Sequence, residues 1–337
     1  NRVCDVVLAC LDRLLRYFNK YAFCYVAVYG MPFVSAGRSV FSLLEHKGVA
    51  SLPKVANASC PANAVVILGD HLVKVNNLDE ELGSAALVDR LLDRMASGDG
   101  RVDLIADYAA AIPVEIIGNL LGVPHDEREP LRDWSLAILG ALEPKIDQAQ
   151  FDRGNAAVTD FLAYLEGLVA DRRARPGDPD RDVLTRLIRG EADGERLSHE
   201  ELLQQCIFIL NAGHETTTNL IGNALVLLCE WPGERARLLA EPGLIRTAVE
   251  EFLRFESSNQ LGNRATTAEA EIGGVALPPG TGVTLCIGTA NRDPEVFADP
   301  DRLDLGRQPN RHLAFGGGPH QCAGLAVARL EGVVAIG

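Results

Sequence analysis

The stretch that decides the fold is Phe315-Gly-Gly-Gly-Pro-His-Gln-Cys322-Ala-Gly324. Glycines have no Cβ atom, so the backbone of this triple-glycine run can approach a flat group closely. The apolar segment that follows, residues 323–336, predicts a helix. A cysteine at a helix N-terminus has its thiol pKa lowered by outward-facing N–H groups and by the helix dipole. The stretch therefore predicts a thiolate that is presented to a large ligand.

Other functions of this cysteine can be weighed from the residues alone. A zinc site needs four ligands, and His320 and Cys322 supply only two, with His312 as the nearest further candidate. A dinucleotide-binding loop is disfavoured because the glycine spacing is not G-x-G-x-x-G and no clear strand precedes it. A buried structural cysteine in a glycine turn stays open at this point.

Composition restricts the class of protein. The chain has 337 residues and a net charge of −14, which argues against binding to nucleic acid. Its 8 cysteines include no C-x-x-C pair and suggest no disulfide framework, so we expect a reduced, cytoplasmic protein. The apolar stretch 21–34 contains Gly30 and Pro32 and is too short to cross a bilayer, so we expect no membrane span.

The longest predicted helix covers residues 198–230. Ser198 and Glu201 form a capping box, and Pro232 follows the end of the run. The segment is apolar on almost every side, which predicts that the helix is buried and crosses the whole domain. Polar residues at 211–218 interrupt this pattern at its centre. Such a violation in a buried helix predicts a functional site.

Strands are predicted only late in the chain. Segments 271–277 and 283–287 alternate with period two around Pro278-Pro-Gly280, which predicts a hairpin. Helical segments dominate the region before them. The expected fold class is therefore mainly α with a small β region: a long central helix, a late β-hairpin and a cysteine loop.

Four motifs, in one order, are similar to those of a known family. The cysteine stretch matches F-G-x-G-x-H-x-C-x-G at every fixed position, which is the haem-ligand signature of the cytochrome P450 family. The chain resembles this family, in its soluble bacterial type, over about residues 82–337. The three other motifs are Ala212-Gly-His-Glu-Thr-Thr217, Glu251-Phe-Leu-Arg254, and Asn291-Arg-Asp-Pro294 followed by a segment that ends at Arg302.

The resemblance implies haem b (iron protoporphyrin IX) as the cofactor, with Cys322 as the axial ligand of the haem iron. Phe315 and Gly316 are expected to lie against the haem on the thiolate side. Arg264 and His320 are expected to pair with the haem propionates.

On the opposite side of the haem, the resemblance implies that Ala212 and Gly213 leave room for dioxygen. Glu215 and Thr216 are the expected catalytic acid–alcohol pair, which delivers protons at a kink in the central helix. Pocket residues are expected at 209–210 and 259–261.

Glu251, Arg254 and Arg302 are expected to form a buried charge triad whose role is structural. Arg292, Arg307, Arg311 and Arg329 lie near the cysteine loop in sequence, where the family docks an acidic electron donor. The expected partners are a ferredoxin or flavodoxin-type donor with its reductase, a small organic substrate and O2.

The implied function is a haem–thiolate monooxygenase that inserts one oxygen atom from O2 into the substrate. A haem–thiolate peroxygenase, a non-catalytic haem-binding protein and a non-functional fragment are the alternatives. The expected division is a poorly assigned segment at 1–85 and a haem domain at 86–337 that is incomplete at its C-terminus. Residues 1–85 lack the early-helix arginine with which the family grips a propionate, and the chain ends before the family's terminal hairpin.

Overall fold

The structure is a computed structural model, and it describes residues 83–98, 101–142, 146–178, 182–189, 191–192, 195–318 and 321–337. The expectations for residues 1–82 and for His320 lie outside the described residues. The described part is mainly helical with small antiparallel sheets, so the predicted fold class is confirmed.

Helices account for most of the described chain. They are α1 (Ser84–Ala96), α2 (Ala111–Leu121), α3 (Glu129–Gly140), α4 (Gln148–Ala174), α5 (Val183–Arg189), α6 (His199–Glu230), α7 (Pro232–Ala240), α8 (Ile245–Phe255), α9 (Ile287–Ala290) and α10 (Leu325–Ile336). A π-helical segment (Leu104–Ala109) precedes α2, and 3₁₀ turns (His125–Glu127 and Pro242–Leu244) precede α3 and α8.

Helix α6 is the predicted long helix. The N–H of Glu201 donates to the Ser198 hydroxyl, and the Glu201 carboxylate accepts from the N–H of Ser198, which completes the capping box. Its 32 residues give a length of about 48 Å. It packs against α2, α3, α4, α8 and α10, so both ends of the domain are built on it.

The hydrophobic core surrounds α6 on most sides. Ile207 and Leu210 of α6 are fully buried together with Phe161 of α4 and Ile112 of α2. A second cluster joins the C-terminal half of α6 to α8, with Phe252 at its centre. Burial of each such side chain contributes about 1.5–3 kcal/mol to the free energy of unfolding. Together, the two clusters hold α6 in place from one end to the other.

Within the part of the chain that the structure describes, one segment has the length and hydropathy of a membrane span. Residues Leu104–Leu121 have a mean hydropathy of 1.5. More than half of this segment is buried inside the protein, where it packs against α6. A core helix of a globular domain has the same properties.

The predicted hairpin, which paired segments 271–277 and 283–287, is wrong. Strand β4 (Ala270–Ile272) pairs with β5 (Val275–Leu277), and the two intervening glycines both have positive φ, as a two-residue hairpin turn requires. Strand β6 (Gly282–Cys286) pairs instead with β3 (Leu261–Ala265). The short pair β1 (Glu191–Ala192) and β2 (Glu195–Arg196) precedes α6.

A buried charge cluster holds the chain around α8. Glu251 and Arg254 are 0% exposed, and Arg254 donates to both Glu251 carboxylate oxygens over 2.8 Å. The third cation is Arg307, whose Nε lies 3.1 Å from both oxygens. The predicted third member, Arg302, is exposed and contributes only its backbone carbonyl, which accepts from Arg254 and Arg307.

The path of the loop explains this correction. The segment after Pro300 turns so that the backbone of Arg302 faces Arg254, and the next part of the loop brings Arg307 to Glu251. The N–H of Asp304 and the side-chain amide of Asn310 donate to the same carboxylate. All donors that Glu251 needs therefore come from Arg254 and from this one loop.

We expect Arg307→Met to lower the free energy of unfolding by about 3 kcal/mol, because it removes one partner of a buried carboxylate. Arg302→Met is the matched control and should change stability by less than about 0.5 kcal/mol, since its side chain is exposed. Urea denaturation of the two variants measures the difference. A larger loss of stability in Arg302→Met than in Arg307→Met would instead support the predicted triad, in which Arg302 is the third member.

Candidate functional site

Backbone hydrogen bonds close the cysteine loop. The N–H of Cys322 donates to the carbonyl of Phe315 over 2.9 Å, and the N–H of Gly316 donates to that of Leu313 over 2.8 Å. Gly316 and Gly318 have φ angles of 67° and 66°, a left-handed conformation that other residues adopt only with strain. The turn therefore requires these glycines, and it leaves Cys322 exposed.

The pKa of the Cys322 thiol is shifted in the direction opposite to the prediction. The surrounding protein atoms raise its pKa above the ordinary value although the residue is exposed by area. The N–H of Gly324 and the charge of Arg329 lower the pKa, but they do not offset this desolvation. Helix α10 begins three residues later, at Leu325, so Cys322 lies outside its first turn. The protein by itself does not favour the thiolate.

Glu250 of α8 joins the two sides of the cysteine loop. Its carboxylate accepts from Arg329 of α10 over 2.6 Å and 2.9 Å, and from the ring of His312 over 3.0 Å. Partial burial by itself would raise the pKa of Glu250, but these hydrogen bonds lower it to about 2. The Arg329 guanidinium also lies 4.9 Å from the centre of the Phe315 ring. Sequence reasoning missed Glu250, whose only signal was its place beside Glu251.

The central helix exposes one row of side chains. Phe208, Ala212, Glu215 and Thr216 recur at helical spacing and are exposed, although residues on the other faces of α6 are buried. Phe208 is 40% exposed, a large fraction for an aromatic residue in a central helix. The sequence had suggested residues 209–210 for the pocket. Both are buried in the core, because they point to the opposite face.

The helix remains continuous through the polar motif, where a kink was expected. The Thr216 hydroxyl donates to the carbonyl of Ala212 over 2.8 Å, and Thr218 makes the same bond to His214 over 2.9 Å. Glu215 and Thr216 are adjacent and both exposed. Of the two threonines that bond backward, only Thr216 is on the exposed row.

Gly213 serves a different purpose from the one predicted. A Cβ atom at this position would lie 3.0 Å from Cδ1 of Ile117, on helix α2. The missing side chain therefore lets α2 pack closely against α6, and it does not create space on the exposed row. Ala212 is on that row.

The remaining predicted ligands lie at the edge of the site. Arg264 is exposed on β3 and, among the described residues, donates only to the carbonyl of its neighbour Asn263. At 259–261, Asn259 is exposed, and the Gln260 amide donates to Glu256 and Ser257, which closes the turn after α8. Their contacts with a haem or a substrate stay predictions.

Most arginines of the predicted basic patch bind partners within the protein. Arg292 donates to the carbonyl of Phe255 and to Asp301, Arg307 binds Glu251, and Arg329 binds Glu250. Arg311 is exposed. Sequence proximity to the cysteine loop therefore did not distinguish structural arginines from surface ones.

A buried acid links α10 to α6. Glu331 is 3% exposed, and its carboxyl group interacts with the Thr217 side chain of α6. Burial raises the pKa of Glu331 from its ordinary 4.5 to about 8, and the Thr217 hydrogen bond opposes this rise. The sequence contained a signal for it, since Glu331 is the only acid in the apolar helix α10.

The residues present fit a flat haem group. An added Cβ at Gly317 or Gly318 would meet no atom within 4 Å, so there is open space beside the cysteine loop. Six residues, about 9 Å of helix, separate the start of α10 from its contact with α6 at Glu331. Cys322 lies before this helix, and the exposed row of α6 combines the apolar Phe208 and Ala212 with the polar Glu215 and Thr216.

The cytochrome P450 family model matches residues 141–337. Cytochrome P450 107B1 of Saccharopolyspora erythraea is 42% identical over 252 residues, which are 74% of this chain and 60% of the relative. Vitamin D(3) 25-hydroxylase of Pseudonocardia autotrophica is 41% identical over 78% of this chain and 63% of its own length. The chain thus spans about 60% of the length of the curated relatives that it matches.

Solved structures give the same result. P450BioI, in a complex with an acyl carrier protein that carries hexadec-9Z-enoic acid, is 34% identical with a TM-score of 0.75. That match covers 81% of this chain and 70% of P450BioI. CYP109E1 from Bacillus megaterium, in a complex with testosterone, is 29% identical with a TM-score of 0.74, over 84% and 76% of the two chains.

Residues 1–73 are similar to a different family, whose model is described as plasma-membrane choline transporter. This match does not overlap the first one. It lies outside the described residues, so the expectation that the chain has no membrane span stays a prediction there.

We expect Glu331→Gln to flatten the pH dependence of stability. Because the folded state holds the Glu331 proton up to about pH 8 while the unfolded chain releases it near pH 4.5, this group lowers stability as pH rises between those values. Glutamine keeps the shape and can still accept from Thr217. From pH 5 to pH 7.5 the variant should lose about 3 kcal/mol less stability than the parent.

Urea denaturation at both pH values measures this difference, with Glu166→Gln as the control at an exposed acid. Equal pH slopes for the parent and Glu331→Gln would contradict a neutral, buried Glu331.

Proposed function

Because the chain belongs to the cytochrome P450 family, we propose that it supplies the haem domain of a monooxygenase. The reaction inserts one atom of O2 into a small organic substrate and releases the other as water, with two electrons and two protons consumed. The haem domain is residues 86–337. The observation that carries the proposal is the exposed Cys322, held by its glycine loop just before α10, the helix that packs against α6 beside the Glu215–Thr216 segment.

Haem b, bound through Cys322, supplies the redox chemistry that activates dioxygen. The backbone bond from Cys322 to Phe315 fixes the sulfur in one place, and the N–H of Gly324 provides a donor to it. Arg264 is exposed and available to a propionate, and His320 is the second propionate partner that the motif suggests. Phe315 and Gly316 line the cysteine side.

Glu215 and Thr216 are the groups that move protons. The Thr216 hydroxyl donates to the Ala212 carbonyl, which leaves its oxygen lone pairs available as acceptors on the exposed row. Glu215, one residue before it, is exposed and can exchange protons with water. The pair suits a monooxygenase, which must deliver protons to dioxygen, and disfavours a peroxygenase, which receives its oxygen already reduced.

The substrate is a small, largely apolar organic molecule. Phe208 and Ala212 give the row on α6 an apolar surface next to Glu215 and Thr216. Relatives support this class, since one is named a vitamin D(3) hydroxylase and one neighbour was solved with testosterone. A cytoplasmic location fits the reduced cysteines and the need for a soluble electron donor.

The electron donor is a ferredoxin or flavodoxin-type protein with its reductase. Exposed Arg302 and Arg311 lie on the segment before the cysteine loop and suit an acidic donor. Rates of haem reduction should therefore fall as ionic strength rises. Rates that do not depend on salt would count against docking at this surface.

The test of the proposal is the difference spectrum of the reduced, CO-bound protein loaded with haem. We expect the red-shifted Soret band of a thiolate ligand in the parent and its loss in Cys322→Ser. Cys286→Ser is the matched control, because Cys286 is also an exposed free cysteine but lies on β6, and it should keep the band. A parent protein without the band would reject the proposal.

A second prediction separates the two backward-bonding threonines. Thr216→Ala should lower the yield of oxidised substrate per NAD(P)H consumed at least tenfold, because proton delivery on the exposed row is lost. Thr218→Ala removes the same kind of bond from a buried position and should leave that yield within twofold. Product yield and NAD(P)H consumption, measured with a turned-over substrate, give the ratio.

A further inference from the structure

Glu250 is the one acid that contacts both sides of the Cys322 loop among the described residues. On one side it accepts from His312, three residues before Phe315, and on the other side from Arg329 of α10. Its neighbour Glu251 binds a different set of donors on the preceding segment. Glu250 therefore has contacts of its own, and the charge cluster that holds the fold does not use it.

His312 uses both of its ring nitrogens in this cluster. The N–H of Ala314 donates to its Nδ1 over 3.2 Å, so Nδ1 is an acceptor and the proton lies on Nε2, which donates to Glu250. The ring also lies 5.9 Å from Phe315, centre to centre. Consequently, Arg329 is the cation that balances Glu250.

Arg329 has one fixed position. Two of its nitrogens donate to the two oxygens of Glu250, and the guanidinium carbon lies 4.9 Å from the centre of the Phe315 ring. Phe315 in turn accepts from the N–H of Cys322. A permanent positive charge is thus held against the ring of Phe315, the residue whose carbonyl accepts from the N–H of Cys322.

We propose that Glu250 is a positioning residue for the cysteine ligand, since it orients Arg329 so that the guanidinium charge stabilises negative charge on the sulfur of Cys322. The proposal rests on the proposed function, because it concerns the thiolate that ligates haem. Reduction adds one electron to the haem–thiolate pair, so a nearby positive charge raises the midpoint potential of the iron. Arg329 cannot be deprotonated in this range, so its charge is constant with pH.

The pair is suited to this function and weakly needed for folding. The side chains of Arg329 and Glu250 are 40% and 25% exposed, unlike Glu251 and Arg254. An ion pair at this level of exposure is less critical for folding than a fully buried one, whose disruption costs about 3–5 kcal/mol. Variants at these positions should therefore fold and bind haem, which allows the electrostatic effect to be measured directly.

The experiment is a double-mutant cycle on the haem-loaded protein, with the midpoint potential as the readout. Arg329→Met should lower the potential, and Arg329→Lys, which keeps the charge but not the two-pronged contact, should lower it less. In a Glu250→Gln background the shift caused by Arg329→Met should be smaller, because Arg329 is no longer held in place. Glu166→Gln, which removes a comparable acid–histidine pair on α4, should leave the potential unchanged.

Two results would overturn the inference. Arg329→Met with the potential of the parent would show that its charge does not act on the sulfur. An identical Arg329→Met shift with and without Glu250 would show that Glu250 does not position it. Each result counts only if the parent has the red-shifted Soret band with CO, and absence of that band would instead reject the proposed function.

Discussion

The structure around the site depends on the buried carboxylate of Glu251. Removing a carboxylate and a guanidinium from water costs several kcal/mol for each ion, and the cost is offset only when every lone pair and proton has a partner. Arg254 and Arg307 provide three nitrogens, and Asn310 and the N–H of Asp304 provide two more. Any shift of the loop 302–310 would leave a buried charge unpaired. That loop leads directly into the cysteine stretch, so the requirement fixes the position from which Cys322 is presented.

Two adjacent acids of α8, Glu250 and Glu251, bind different parts of the chain around the cysteine. Successive side chains on a helix point about 100° apart, so Glu250 and Glu251 face different segments. Glu251 holds the loop before the cysteine, while Glu250 holds His312 and the helix behind it. The fully buried acid makes contacts that the fold cannot lose. The contacts of the partly exposed Glu250 can be altered without unfolding the protein. The electrostatics of the site can therefore be adjusted at Glu250 independently of stability.

Much of this could be predicted from the sequence, for identifiable reasons. The capping box of α6 and the glycine loop are local features, because their hydrogen bonds join residues a few positions apart. The correction from Arg302 to Arg307 depends on how an irregular loop turns, which no periodicity encodes. The role of Gly213 could not be predicted for the same reason. The sequence shows that a side chain is missing there, but it does not show that Ile117 fills the space. The β4–β5 turn is different, since Gly273-Gly274 was a readable hairpin signal that the following Pro-Pro-Gly masked.

The two sides of the site are joined through neighbouring threonines of α6. Thr216 lies on the exposed row and bonds to its own helix, whereas Thr217 is buried in the core and interacts with Glu331 of α10. A buried carboxyl group is a costly way to join two helices, and an apolar residue would pack there more cheaply. A hydrogen bond, however, constrains rotation as well as distance, which apolar packing does only loosely. Because α10 follows the cysteine loop directly, the Thr217–Glu331 contact contributes, with the packing of α10 on α6, to the orientation of the Cys322 side relative to the Glu215–Thr216 row.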